Sequence, residues 1–151
     1  MSNLKISKSQ VLIRDATEKD VGFIFNSWLK SYKASAFAKY ISGPVYYNLH
    51  HKSIETILKR SRVLVAANPV DPNQIYGYLC LEQQQETTVV HFAYTKEAFR
   101  KMGILQLLLN EAQVPEIFFY SHSTLSASQV LPKIARKGVY NPYLAFIGLV
   151  A

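Results

Sequence analysis

Apolar positions recur in two rhythms along this chain, and the switches between them mark its elements. Residues 11–14 read as a first strand. Val21, Ile24, Phe25, Trp28 and Leu29 then fall at i, i+3, i+4, i+7 and i+8, which predicts a helix with one apolar stripe. Thr17 is placed to cap it, with Asp20 adding negative charge to the first turn. Residues 46–60 predict a second helix, with Leu49, Ile54, Ile57 and Leu58 apolar. The rhythm then shortens. Residues 62–67, 75–81 and 87–94 are rich in β-branched, aromatic and apolar side chains and predict three strands. A turn at 68–73 and a polar link at 83–86 make them two successive antiparallel hairpins. A helix follows over 103–112, a strand over 115–121, and a last helix over 128–137, started or interrupted at Pro132 and ended by Gly138. Residues 143–150 predict a closing strand.

Between the 87–94 strand and the 103–112 helix the chain turns through Arg100-Lys101-Met102-Gly103. A helix N-terminus has unsatisfied N–H groups and a partial positive charge, so it attracts phosphate. Glycine there lets a ligand approach the backbone closely, and Arg100 and Lys101 add charge.

This strand–turn–helix resembles the acetyl-CoA motif of the GNAT N-acetyltransferases. Their pattern is a strand ending in valine, then Arg/Gln-x-x-Gly-x-Gly/Ala opening a helix. Here Thr95 takes the valine position, Arg100 and Gly103 match, and Leu105 stands where the family has Gly or Ala. Ile13-Arg14-x-Ala16-Thr17-x-x-Asp20 and Ile75-x-Gly77-x-Leu79 also look like the family's first and third strands. The order β-α-α-β-β-β-α-β-α-β then implies the GNAT fold over residues 11–150. That fold is α/β (α+β), with a mixed, mostly antiparallel sheet flanked by helices.

The resemblance implies transfer of acetyl from acetyl-CoA to a small amine or a protein amino group. It assigns backbone N–H groups of Ala93, Tyr94 and Thr95 to the pantetheine and thioester. It assigns Arg100, Lys101, Met102, Gly103, Ile104 and Leu105 to the pyrophosphate. Many relatives carry an acidic tyrosine four residues before the glycine ending the last helix, but that place here is Ile134. Tyr140 is the candidate acid in its stead, with Ser121 and Tyr120 as others. His91 is the candidate base, because histidine titrates near neutrality. Its other reading is a packed strand histidine. Glu82 is the next candidate base. A homodimer is compatible with the resemblance.

Composition narrows the rest. At 151 residues the chain is expected to be one domain over 1–151, with a polar tail at 1–10. A content of 49% hydrophobic residues fits a globular protein. No apolar run approaches the ~18 residues of a membrane span, and no signal peptide is visible, so a cytoplasmic place is expected. Cys80, the single cysteine, reads as buried packing. The net charge of +7 admits an anionic partner, but the basic residues are scattered and nucleic acid is not expected. His50-His51 is adjacent on a helix, splayed by about 100°, so it reads as surface rather than a metal pair. No metal is expected. Tyr32, Phe37, Tyr40, Tyr46 and Tyr47 read either as an acceptor-pocket wall or as core and helix surface. Two rival functions remain: a GNAT fold that has lost catalysis and binds CoA or a protein partner, and a basic nucleic-acid-binding protein.

Overall fold

The computed structural model describes residues 6–124 and 136–146. Its order is β1 (Leu12–Asp15), α1 (Val21–Lys33), α2 (Gly43–Lys59), β2 (Arg62–Ala67), β3 (Ile75–Gln84), β4 (Thr87–Thr95), α3 (Ile104–Glu111), β5 (Ile117–Tyr120) and β6 (Lys137–Tyr140). The strands form one sheet in chain order. β1 to β4 pair antiparallel, and β5 runs parallel to both β4 and β6. The architecture is mixed α/β with a mostly antiparallel sheet flanked by helices.

The start of α1 is fixed by Asp20. Its carboxylate takes the Arg14 guanidinium in two hydrogen bonds of 2.7 and 3.0 Å and the Thr17 N–H at 2.7 Å. The Arg14 hydrogen bond, more than any other influence, holds this carboxyl below its usual range. The strand-1 arginine and the Thr-x-x-Asp turn thus act as one clamp, joining β1 to α1.

Alternation along the strands splits the core in two. Val65, Ala67, Tyr78, Cys80 and Phe92 pack with Ile24, Trp28 and Ile54 of α1 and α2. Leu64, Ala66, Leu79, Val90 and Phe118 pack with Ile104, Leu108 and Leu109 of α3. Strand period would put Val90 and Phe92 on one face. They lie on opposite faces because His91 is an extra residue: Leu81 pairs with Val90 and Cys80 with Phe92. A bulge of this kind re-aims side chains and increases local twist. Cys80 is buried in the first core, and burial pushes its thiol up to about 12. Gly77 is required where β3 crosses β4, because a Cβ there would run into the Tyr94 carbonyl oxygen.

Several expectations are corrected. Gly138 ends no helix: with Lys137 it lies in β6 and pairs with Phe118. The remainder of the expected 128–137 helix, Ile134 included, lies outside the described residues. Instead of opening a strand at 143, residues Pro142–Ala145 form a 3-10 turn whose Tyr143 N–H donates to the Asn141 side chain at 3.1 Å. Residues 147–150 lie outside the described residues. The 1–10 tail is anchored from Ile6, whose N–H donates to the Met102 carbonyl at 2.8 Å, and Lys8–Gln10 form a 3-10 turn. Val21 and Leu49 are exposed, outside the buried stripes of their helices. Tyr32 and Tyr46 are core residues, whereas Phe37, Tyr40 and Tyr47 are exposed.

Candidate active site

β4 and β5 stay paired only at Val89–Phe119 and Val90–Tyr120. Ser121 N–H reaches the Val90 carbonyl at 3.2 Å, and then the strands part while β4 continues to Thr95. The bulge sits where they separate. Lys96 N–H turns to the Tyr76 carbonyl at 2.8 Å, toward β3. Strand alternation therefore turns Tyr94 toward β3, and Ala93 and Thr95 toward the unpaired edge. The Thr95 carbonyl confirms this direction, since it accepts the Arg100 Nε–H at 3.0 Å from outside the sheet. Of the three residues expected to offer backbone to a ligand, Ala93 and Thr95 face the opening and Tyr94 does not.

The turn after β4 leads straight into α3. Glu97–Phe99 form one 3-10 turn, and Gly103 caps α3 with φ 85°, the left-handed conformation that glycine adopts without strain. Lys101 also has positive φ, 67°. The Arg100 guanidinium, stapled to Thr95 through Nε, is exposed. Leu105 is half-buried and lines a narrow cavity of about 50 Å³ between β4, β5 and α3, together with His91, Ala93, Leu109, Tyr120 and His122. Of the expected phosphate residues, Arg100 to Gly103 form the turn beyond the parted strands, while Ile104 and Leu105 open α3 and Ile104 is buried. Leu105 is part of the wall of that narrow cavity.

At the apex lies a chain of buried polar groups. His91 is fully buried, with Nε2 2.7 Å from Glu82 Oε1 and Nδ1 2.7 Å from Ser121 Oγ. Ser121 Oγ is 2.9 Å from His122 Nδ1, and His122 Nε2 is 3.1 Å from His50 Nε2. Burial alone would raise the Glu82 pKa, but hydrogen bonds from His91, Gln84 and Arg60 bring it below the usual range. Arg60 Nε donates to Glu82 at 3.0 Å. Burial depresses His91, against the raising effect of Glu82, and it depresses His122 more strongly, helped by His50 and His91. Burial also takes His50 down to about 4.

His50 is thus no surface histidine. It stacks on Tyr32 and Tyr46 with ring centroids 5.0 and 5.3 Å away. His51 does sit at the surface, paired with Glu55 at 2.9 Å. Adjacent spacing on a helix showed that the two rings diverge; it could not show that one dives between two tyrosines. His122 was missed as a site residue, because only a strand that parts from its neighbour brings it beside His50. No group of three or more His, Cys, Asp or Glu is placed to hold a metal among the described residues.

Tyr140 reaches this region by a different route from the one expected. β6 pairs with β5 in register, so Tyr140 lies opposite Tyr120, with rings 5.4 Å apart. Burial raises the pKa of Tyr32, the ring that stacks on His50, and Tyr140 raises it further.

No family model and no curated protein matches the chain in sequence. Solved structures do match in fold. A protein described as a candidate acetyl transferase from Pyrococcus furiosus is 18% identical, with 93% of this chain and 91% of that one covered and a TM-score of 0.57. A point mutant of the BH1408 protein from Bacillus halodurans is 16% identical over 81% of this chain and 88% of that one, also with TM-score 0.57. A possible acetyltransferase from Clostridium difficile 630 is 15% identical over 69% of each chain, with TM-score 0.52. The chain shares the fold of these three structures, two of which are described as acetyltransferases. No helix among the described residues is long and apolar enough to cross a membrane.

Proposed function

We propose that this protein is an acetyl-CoA-dependent N-acetyltransferase whose acceptor is the amine of a small molecule or of a protein. The observation that carries the reading is the parting of β4 and β5 at a bulged, buried histidine, with outward-facing backbone on one side and a phosphate turn below. When bound, acetyl-CoA supplies an activated acetyl thioester. The N–H groups of Ala93 and Thr95 are donors for the acyl and pantetheine carbonyls, since strand alternation turns both to the open edge. Arg100 and the turn through Lys101, Met102, Gly103, Ile104 and Leu105 receive the pyrophosphate.

The amine attacks in its neutral form, so the ammonium must first lose a proton. Neutral imidazoles near the apex suit that role, and burial keeps them neutral below the usual histidine range. His91 takes part from inside the chain rather than by touching the amine, because both its nitrogens are already bonded. The departing thiolate takes a proton; we assign that role to Tyr140, whose ring packs on Tyr120, with Tyr120 in the cavity wall as the alternative phenol. Tyr140→Phe is therefore expected to lower kcat about 100-fold with the KM for acetyl-CoA unchanged, read from initial rates. An unchanged kcat would remove Tyr140 as acid.

The assay for the reading itself is thiol release from acetyl-CoA with benzylamine or a lysine-containing peptide. Amine-dependent release with acetylated product is expected. A second reading is a GNAT fold that binds CoA without turning it over, and the half-buried Leu105 lining the cavity favours it. Binding without amine-dependent release across both acceptors would select that second reading.

A further inference from the structure

The buried chain has a direction, and counting donors supplies it. Glu82 Oε1 receives hydrogen bonds from Arg60 Nε and Gln84 Nε2 as well as meeting His91 Nε2. An ionised carboxylate only accepts, so His91 carries its proton on Nε2. A neutral imidazole has one N–H, so His91 Nδ1 accepts, and the Ser121 hydroxyl must donate to it. That uses the one hydrogen of Ser121. Its oxygen must therefore accept from His122 Nδ1–H at 2.9 Å. His122 Nε2 is then a lone pair, and the 3.1 Å contact is a hydrogen bond donated by His50 Nε2–H. His50 keeps a free lone pair on Nδ1, which carries no hydrogen bond among the described residues. Every donor in the chain points inward, from the partly exposed His50 to the carboxylate beside Arg60.

We infer that His50, His122, Ser121 and His91 form a one-way proton relay that draws the acceptor's ammonium proton from the His50 end to His91 beside Glu82. This deepens the transferase reading and, in its catalytic use, rests on it. The step balances without any further reactant. A proton bonds to His50 Nδ1; the Nε2–H proton of His50 passes to His122 Nε2; the Nδ1–H proton of His122 passes to Ser121; the Ser121 proton passes to His91 Nδ1. The amine is left neutral, each relay group keeps its proton count, and the one added charge rests on His91. Glu82 stabilises that imidazolium without itself being protonated. The surroundings favour transfer over storage. Tyr32, Tyr46, Trp28 and Phe92 pack around His50 and His122, and among the described residues no carboxylate is paired with either ring to trap a cation there. His50 takes the proton and His122 hands it on; the two are remote in sequence and joined only by the fold.

Two measurements decide it. In the free protein, long-range proton–nitrogen spectra of ¹⁵N-histidine-labelled samples at pH 7 should show His91 as the Nε2–H tautomer, His122 as Nδ1–H and His50 as Nε2–H. His122 found as Nε2–H, or His50 as Nδ1–H, would break the direction and overturn the relay, whatever the protein's activity. With acetyl-CoA and benzylamine, H50Q should lower kcat at least tenfold while the KM for acetyl-CoA stays put, because glutamine keeps a donor to His122 but carries no proton onward. H50A should regain part of its rate with added imidazole, which a packing role would not give. Full kcat in H50Q would overturn the relay. No transfer by the wild-type protein, with the three tautomers as stated, would refute the transferase reading and with it the relay's catalytic use.

Discussion

Stability is expected to fall steeply as pH drops from about 6.5 toward 4. His50, His91 and His122 all have depressed pKa values in the fold, His50 to about 4 from 6.5. In the unfolded chain each titrates near 6.5. Between the two values the unfolded state binds more protons, so acid favours unfolding, and stability is fully present only above the unfolded pKa. Each such histidine contributes a slope of up to about 1.4 kcal/mol per pH unit. Over its own window His50 accounts for roughly 3 kcal/mol. That is a large share of a total stability of about 5–15 kcal/mol, and His91 and His122 act in the same direction. The lowered carboxyls of Asp20 and Glu82 act in the same direction but only below their unfolded values, 3.8 and 4.5. Urea titrations followed by circular dichroism at pH 7, 6 and 5 give the test. A midpoint that stays flat from pH 7 to 5 would mean that the histidines titrate normally in the fold.

Glu82→Ala is expected to cost about 3 kcal/mol, read from the same urea titrations at pH 7. The Glu82 side chain is only 10% exposed and that of Arg60 18%. Removing one member of a buried, hydrogen-bonded pair leaves the other charge uncompensated, which costs about 3–5 kcal/mol. The lower end applies because Arg60 also donates to the Ala145 carbonyl at 2.6 Å. His91 Nε2–H and Gln84 lose an acceptor as well. Glu82→Gln should cost less, since its amide oxygen can still take the His91 proton. A Glu82→Ala protein within about 0.5 kcal/mol of wild type would place this pair with exposed ion pairs, which contribute little.

The parts of this fold that were legible in sequence are those where local rhythm and tertiary role agree. β2 lies where its run of apolar residues placed it, and the Thr-x-x-Asp turn marked the start of α1. Gly77 was visible as a family-like glycine, but its reason, the approach of Tyr94, needed β4 beside it. The C-terminal part failed for a physical reason. Gly138-Val139-Tyr140 has strand propensity, yet the preceding residues suggested a helix, and only the free edge of β5 selects pairing. Asn141-Pro142 was a turn signal passed over, and the Asn141 side chain does cap the turn that forms there. In the candidate site, the turn from Arg100 to Gly103 was readable because it is contiguous and leads into α3. The chain from His50 through His122 and Ser121 to His91 was not, because it joins α2, the end of β5 and the bulge of β4. The bulge itself leaves no local mark in sequence, and it is what brings His91 to Ser121.

Calorimetric titration of acetyl-CoA into the wild-type protein and into Gly103→Glu tests the proposed coenzyme cleft most directly. Saturable binding is expected for the wild type, accompanied by thermal stabilisation worth about 2.7 kcal/mol at 100 times the dissociation constant. Glutamate at position 103 would put a negative, β-carbon-bearing residue at φ 85° in the phosphate turn, so its binding should be lost while the fold is retained. Binding of equal strength in both proteins, or none to the wild type at millimolar coenzyme, would contradict the assignment of this cleft.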